Sequence, residues 1–348
     1  MSINRADEGA MRSESAMHSE SRNLNRPFLL KPAVKDYLWG GSRLNDDFNL
    51  GFDIAPFAEA WVCSCHPDGD SVADVYGLTL AELLRGHPEW LGTHASSVAN
   101  GEFPILIKLI DAKKDLSVQV HPDDEYARTH EQGSLGKTEM WYVLDAKDNA
   151  SLVYGFSRDV TETQLRESIT TGSIENYLNH VEVHKNDLFF IESGTVHAIG
   201  AGCLIAEIQE SSNLTYRLYD YNRTDKNGNK RELHIDKAMQ VANMHSSAKP
   251  RQPMRVLKYR NGMASELLCR CKYFQVERMI LNTEVQRDLA TFQTGSNSFH
   301  ALLCVDGCGS ISGSDVFINF FKGDCIFVPA DSVELKLHGK AQILNVSC

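Results

Sequence analysis

From Phe28 onward, apolar residues come in short runs separated by clusters of Gly, Asp, Asn and Pro. That punctuation is the mark of a β-rich sandwich or barrel. Strands are predicted over Ala60–Cys65, Ile105–Ile110, Ser117–His121, Glu139–Leu144, Asp187–Ile191, Leu204–Gln209 and Thr215–Tyr219. Three segments read as helical instead. Leu78–Leu84 is opened by Thr79, and Asp236–Ala242 leads into a polar stretch. Residues 161–179 begin with the capping pattern Thr161-Glu162-Thr163-Gln164 and are divided by Gly172 into two short helices.

A weak internal repeat organises the pattern. Residues 185–197 line up with residues 322–334, each with a turn, an apolar strand, a second turn and then a residue placed to point inward. That last residue is His197 in the first copy and Glu334 in the second. Two related barrels are the simplest account. Residues 1–26 are polar without an apolar period and read as a disordered tail. His245–Pro253 is the best linker candidate. The expected units are therefore 27–245, with a helical insertion at about 159–180, and 254–348.

The composition, 42% hydrophobic and 23% charged over 348 residues, is that of a soluble globular protein with ample core. No apolar run approaches the roughly 20 residues that span a bilayer. The N-terminus carries no apolar signal core, so a cytoplasmic location is expected. A net charge of -11 argues against a nucleic-acid or membrane-surface partner. Nine cysteines without a secretion signal suggest free thiols. The Cys-x-Cys pairs Cys63/Cys65 and Cys269/Cys271 lack zinc-finger spacing and read as small hydrophobes on strands.

Candidate chemistry gathers in three segments. On an extended strand Gln119 and His121 project to one face, and Lys137, Glu139 and Trp141 share a face on another. His197 follows the Gly194 turn, which brings a ligand from a third strand over the same cavity. Two imidazoles, a carboxylate and an amide oxygen make a cage for one divalent metal and leave it a formal charge of +1, still a Lewis acid. Zinc suits this donor set best, although Mn, Fe, Co and Ni also accept such ligands. Singly, each residue reads more readily as core or surface; the joint arrangement and Lys137 beside Glu139 raise the metal reading. Glu207 stands in an apolar strand where a carboxylate is expensive, and Arg217 alternates with aromatic neighbours. Arg217, Arg223 and Lys137 offer a local cationic patch for an anionic substrate. The plainer alternative for Arg217 is an ion pair with Glu207 that ties two strands together.

The blocks LKPAVKDYLWGGSRL (30–44), EAWVCSCHPDGDSVA (59–73), PILIKLIDAKKDLSVQVHPDD (104–124), GKTEMWYVL (136–144), FFIESGTVHAIGAG (189–202) and TYRLYDYNR (215–223) resemble the type I mannose-6-phosphate isomerases of the short bacterial kind. They run in order with natural spacings from Leu30 to about Ala242; the C-terminal third matches only in outline. The resemblance implies a mostly β, cupin-type double-barrel (jelly-roll) architecture with a small helical insertion. It also implies an enzyme that interconverts mannose 6-phosphate and fructose 6-phosphate with one zinc ion per chain. Carried over by position, it makes Gln119, His121, Glu139 and His197 the metal ligands and Lys137, Glu207 and Arg217 the catalytic residues. Ser117, Lys137, Arg217 and Arg223 would bind substrate, with Ser117 and Arg223 in the phosphate subsite. Asn186 and Glu192 depart from the Gly and Pro of the general cupin pattern. Asn tolerates a left-handed turn, whereas Glu192 is expected to loosen the turn presenting His197. The rival readings are a non-catalytic, metal-containing sugar-binding cupin and an isomerase of another sugar or sugar phosphate.

Overall fold

The structure, a computed structural model, describes residues 25–224, 227–248, 250, 252–285 and 288–348. Most of the expected tail, 1–24, lies outside the described residues. Thirteen strands precede the linker. They are β1 (Phe28–Lys31), β2 (Ala33–Lys35), β3 (Glu59–Cys63), β4 (Val72–Ala73), β5 (Ile105–Asp111), β6 (Val118–Val120), β7 (Glu139–Ala146), β8 (Ser151–Phe156), β9 (Leu178–Glu182), β10 (Leu188–Ile191), β11 (His197–Ile199), β12 (Cys203–Glu210) and β13 (Tyr216–Tyr219). Eight follow it: β14 (Lys258–Arg260), β15 (Met263–Arg270), β16 (Gln275–Asn282), β17 (Ala290–Phe292), β18 (His300–Gly313), β19 (Val316–Phe321), β20 (Cys325–Val328) and β21 (Leu335–Ser347).

Before the linker, a six-stranded sheet in the order β10-β7-β12-β5-β3-β2 faces a five-stranded sheet in the order β13-β6-β11-β8-β9. All pairings within them are antiparallel. The fold is thus mostly β, as expected. Helix Leu80–Gly86 starts at a capping box on Thr79, and helix Glu162–Thr171 starts at one on Thr161 and ends at left-handed Gly172. A short 3-10 turn, Ile174–Asn176, replaces the expected second helix. The ten-stranded sheet holds every strand after the linker, and it also holds β1 and β4. β1 pairs with β20, Phe28 opposite Phe327. The unit expected over 27–245 therefore lends its first strand to the other half.

β12 shows how the sheet is used, because all eight of its residues are buried. Its odd-numbered side chains, from Cys203 and Ile205 to Glu207 and Gln209, face the first barrel's interior, where Cys203 and Ile205 join an apolar cluster with Val143 and Ile110. Its even-numbered Leu204, Ala206 and Ile208 pack outward in a cluster with Val276, Leu303, Phe327 and Val346 of the second half. Both faces are buried, so the strand reads as a nearly unbroken apolar run.

The internal repeat is real in the backbone. Asn186 and Gly323 both have positive φ, and so do Gly194 and Asp331 at the second turn. Asn186 N–H donates to Val143 O at 2.8 Å and Gly323 N–H to Cys304 O at 2.8 Å. Asp187 and Asp324 each accept from the backbone N–H three residues earlier, at 2.8 Å in both copies. The inward role expected of Glu334 is not found. Its side chain is exposed and pairs with Lys336, because the residue is followed at once by the long strand β21. All nine cysteines are free thiols.

A polar clasp joins the two halves. Asp124 accepts from Lys272 Nζ at 2.9 Å and Tyr273 Oη at 2.8 Å, and from Gly136 N at 3.1 Å. Beside it, buried Glu210 accepts from Thr138 N at 2.8 Å. Burial, then the Asp124 charge and a hydrogen bond to it, pushes the Glu210 carboxyl up to about 8. A raised carboxyl binds its proton more tightly in the folded chain than in the unfolded one. Stability therefore falls as pH rises from the ordinary carboxylate range toward 8. Melting temperature is expected to drop between about pH 5 and 8, and Glu210→Gln, which keeps an acceptor for Thr138, is expected to flatten that drop. An unchanged pH slope in the variant would remove Glu210 as its source.

Candidate metal centre

The strands place the donors by register. Arg217 on β13, Gln119 on β6, His197 on β11 and Tyr154 on β8 stand directly opposite one another in one row across the five-stranded sheet. His121 follows β6 immediately, and its carbonyl accepts from Gly194 N at 2.8 Å. Thr195 N–H donates to Glu192 O at 3.0 Å, and Asn243 N–H to Gly194 O at 2.8 Å. These bonds close the turn that presents His197. From the six-stranded sheet comes Glu139, at the start of β7.

His121, Glu139 and His197 are buried, and one ligand atom of each lies within 4.8 Å of the others. His197 Nδ1 bonds the Thr195 carbonyl at 2.8 Å, so that nitrogen carries the proton. Its Nε2 is left as a lone-pair donor, buried and without a hydrogen-bond partner, 3.7 Å from Glu139 Oε2. His121 Nε2 lies 3.2 Å from Glu139 Oε1. Burial, then the Lys137 charge, pushes His121 down to about 3, and burial lowers His197 too. Both rings are neutral, as metal ligation requires. The donors already gather a cation: Lys137 Nζ lies 2.5 Å from Glu139 Oε1 and 3.2 Å from His121 Nε2. Burial alone would raise the Glu139 carboxyl, but the Lys137 charge beside it holds it well below the usual range. Gln119 Oε1 accepts from Ser117 Oγ at 3.4 Å, and Ser117 Oγ accepts from Arg217 Nε at 3.3 Å. The chemistry and tautomers of this set fit a divalent ion held by nitrogen and oxygen. Among the described residues no other group of His, Cys, Asp or Glu converges this way.

A second row crosses the six-stranded sheet: Trp141 on β7, Glu207 on β12, Lys108 on β5 and Trp61 on β3. Lys108 Nζ lies 3.4 Å from Glu207 Oε1 and 3.7 Å from Glu59 Oε2. Trp141 Nε1 donates to both Glu207, at 2.9 Å, and Glu139, at 3.1 Å. Burial raises the Glu207 carboxyl, helped by the Glu139 charge and opposed by Lys108. The alternative in which Arg217 pairs with Glu207 is therefore not what forms. Lys108 and Glu59 were missed in the sequence, although a lysine amid Ile105–Ile110 carries the same signal that singled out Glu207. The expected patch also divides. Lys137 sits on the donor atoms, while Arg223 and Arg231 pair with Asp220 and Arg217 lies close enough to feel both of their charges.

A cavity of about 840 Å³ opens elsewhere, lined by His66, Asp68, Arg85, Glu102 and Asn213 among others. None of the four candidate ligands lines it, so the convergence of donors locates the site rather than this hollow.

A buried His-Glu-His set inside one of two β-barrels defines a cupin-type protein with a candidate metal site. Residues 28–150 match the catalytic domain of phosphomannose isomerase type I, and residues 265–348 match the cupin domain of mannose-6-phosphate isomerase. The mannose-6-phosphate isomerase ManA of Bacillus subtilis is 36% identical over 321 residues, 91% of this chain and 98% of that protein. A crystal structure of the mannose 6-phosphate isomerase from Bacillus subtilis has a TM-score of 0.82 at 34% identity, covering 92% of this chain and 99% of that one. A mannose 6-phosphate isomerase bound with zinc and yttrium shares the fold, with a TM-score of 0.70 at 15% identity over 92% of this chain and 98% of that one. The chain belongs to the type I phosphomannose isomerase family and is an isomerase.

The indole N–H of Trp141 steadies Glu139 from behind. Trp141→Phe removes that bond and keeps most of the ring's bulk. Its affinity for a divalent metal is expected to fall about 10–100-fold, the usual cost of losing an outer hydrogen bond to a ligand. Competition against a chromophoric chelator measures this, and an unchanged affinity would mean that the Glu139 geometry does not depend on the indole.

Proposed function

We propose that this isomerase interconverts mannose 6-phosphate and fructose 6-phosphate through an enediol(ate), with one zinc ion held by Gln119, His121, Glu139 and His197. The carrying observation is the buried His197 Nε2, a lone pair with no protein partner beside a carboxylate and a second neutral imidazole. The names of the similar proteins support the substrate, and the zinc-bound relative supports the metal. When bound, the metal supplies a Lewis acid that stabilises negative charge on substrate oxygens, worth several kcal/mol.

The chain's own groups divide the remaining work. Lys137 stands among the ligands as an ammonium and moves a proton between the sugar's hydroxyl oxygens. Glu207 is the carboxylate of the opposite row, and we assign it the proton at carbon; its raised carboxyl is nearer neutrality than an exposed one. Lys108 and Trp141 hold it in place. Arg217 faces the developing charge and, with Ser117 and Arg223, takes the phosphate. In this reading 27–245 is the catalytic unit, with its helical insertion at about 159–180. Residues 254–348 form a barrel that has lost the ligands: His300, four residues before Cys304 as Glu139 is before Val143, bonds Asn345 instead.

A coupled assay for fructose 6-phosphate, run alongside metal analysis, tests the proposal. Turnover is expected with one zinc per chain, abolished by chelator and restored by zinc. Glu207→Gln is expected to lose about 10²–10⁴-fold in kcat with little change in metal content. Near-wild-type turnover in that variant would take Glu207 out of the proton transfer. A fully metal-loaded protein that neither turns over nor incorporates solvent deuterium at C2 would be a sugar-binding cupin instead.

A further inference from the structure

The segment Arg231-Glu232-Leu233-His234, just before helix Ile235–Val241, runs beside β13 and touches its arginine side at several points. Arg217 N–H donates to His234 Nδ1 at 3.2 Å, and His234 N–H donates to Arg217 O at 2.8 Å. Both backbone polar groups of Arg217 are thus met by one residue. The Arg217 guanidinium, through Nη1, donates to the Glu232 carbonyl at 2.7 Å. One turn along, Arg231 grips Asp220 with two parallel bonds, Nε to Oδ2 at 2.8 Å and Nη2 to Oδ1 at 2.6 Å. Asp220 is 5% exposed, and its Oδ1 also accepts from Arg223, which in turn reaches the Asp115 carbonyl.

Two guanidiniums, Arg223 and Arg231, share the Asp220 carboxylate, and the Arg217 guanidinium lies near enough to feel both of their charges. The cluster thus presents more guanidinium than Asp220 neutralises, the sign that suits a phosphate. A bidentate guanidinium–carboxylate clamp fixes planes as well as charge. Without Arg231, Asp220 would be free to neutralise Arg223 alone, and the wall would lose a charge and its geometry together.

We propose that Arg231 and His234 are positioning residues for sugar-phosphate recognition: His234 sets Arg217, and Arg231, through Asp220, sets Arg223. This rests on the phosphate-binding reading above. It adds a single strap that preorganises both arginines and a third cation that strengthens the field they present.

Two variants separate the roles. Arg231→Ala is expected to raise KM for mannose 6-phosphate about tenfold and to lower kcat less than threefold, since the lost clamp acts on a group remote from the reacting carbons. The Kd for inorganic phosphate, measured by calorimetry on the zinc-loaded protein, is expected to rise by about the same factor. His234→Ala is expected to lower kcat/KM about tenfold, and His234→Asn, whose Oδ1 still accepts from Arg217 N–H, is expected to recover most of it. Metal content and melting temperature are followed in every variant. If Arg231→Ala binds phosphate and sugar phosphate as the wild type does, the positioning role is overturned while the isomerase reading stands. A His234→Asn variant as impaired as His234→Ala overturns the part assigned to His234. A wild-type protein that binds no phosphate overturns the phosphate subsite itself, and this proposal with it.

Discussion

Three carboxylates and two ammonium groups share the buried interior of the first barrel, and the cost of keeping them ionised there governs everything around them. Glu59, Lys108, Lys137, Glu139 and Glu207 are each under a tenth exposed. Unpaired, each would be neutralised by its own desolvation. The structure avoids this by threading them: Glu59, Lys108 and Glu207 alternate in sign across neighbouring strands, and Lys137 lies on Glu139. Burial pulls the Lys108 ammonium down, but Glu59 and Glu207 together outweigh it and hold the group charged. The set as ionised carries one net negative charge. A divalent ion turns that excess to positive, the sign needed beside a substrate that develops negative charge.

Such an interior needs walls that admit no water, and here the second half of the chain matters. The six-stranded sheet carries its ionised row on one face. Its other face, with Ile107, Met140, Ala206 and Ile208, is sealed against Leu303, Phe327 and Val346. Phe327 stacks on Phe28 and Phe299 at that seam, with ring centroids 5.4 and 5.3 Å away. An ionised row backed by solvent would sit in a higher dielectric, with weaker pairing and ordinary acidities. The second barrel thus backs the ionised row with packed apolar side chains.

Much of this was legible in the chain. Short apolar runs between turn clusters announced the strands, because a strand buried on both faces is apolar along most of its length. The capping boxes at Thr79 and Thr161 announced the helices, because those donors have no other partner. The aspartate turns at Asp187 and Asp324 exposed the duplication, since the local bond pattern forces the same residue type in both copies. What was missed depends on pairing across the fold. Lys108 as the partner of Glu207, rather than Arg217, is set by which strands are neighbours. The loan of β1 to the far sheet is likewise a matter of long-range pairing. Glu334 failed for a different reason: a repeat preserves backbone turns more faithfully than the direction of the residue that follows them.

The site draws on two sheets with different duties. The five-stranded sheet supplies Gln119 and His197 in one row with Arg217, with His121 just beyond the strand end, and the arginine wall continues from its edge strand. The six-stranded sheet supplies Glu139 and the row that steadies Glu207. An ion on this donor set would bond to both sheets at once and so tie them together across the interior. The same argument explains why Lys137 lies where it does. The ammonium meets donors from both sheets, Glu139 from one and His121 from beside the other, and so holds together what would otherwise repel or desolvate apart. Charge balance, more than shape, fixes where the two sheets meet.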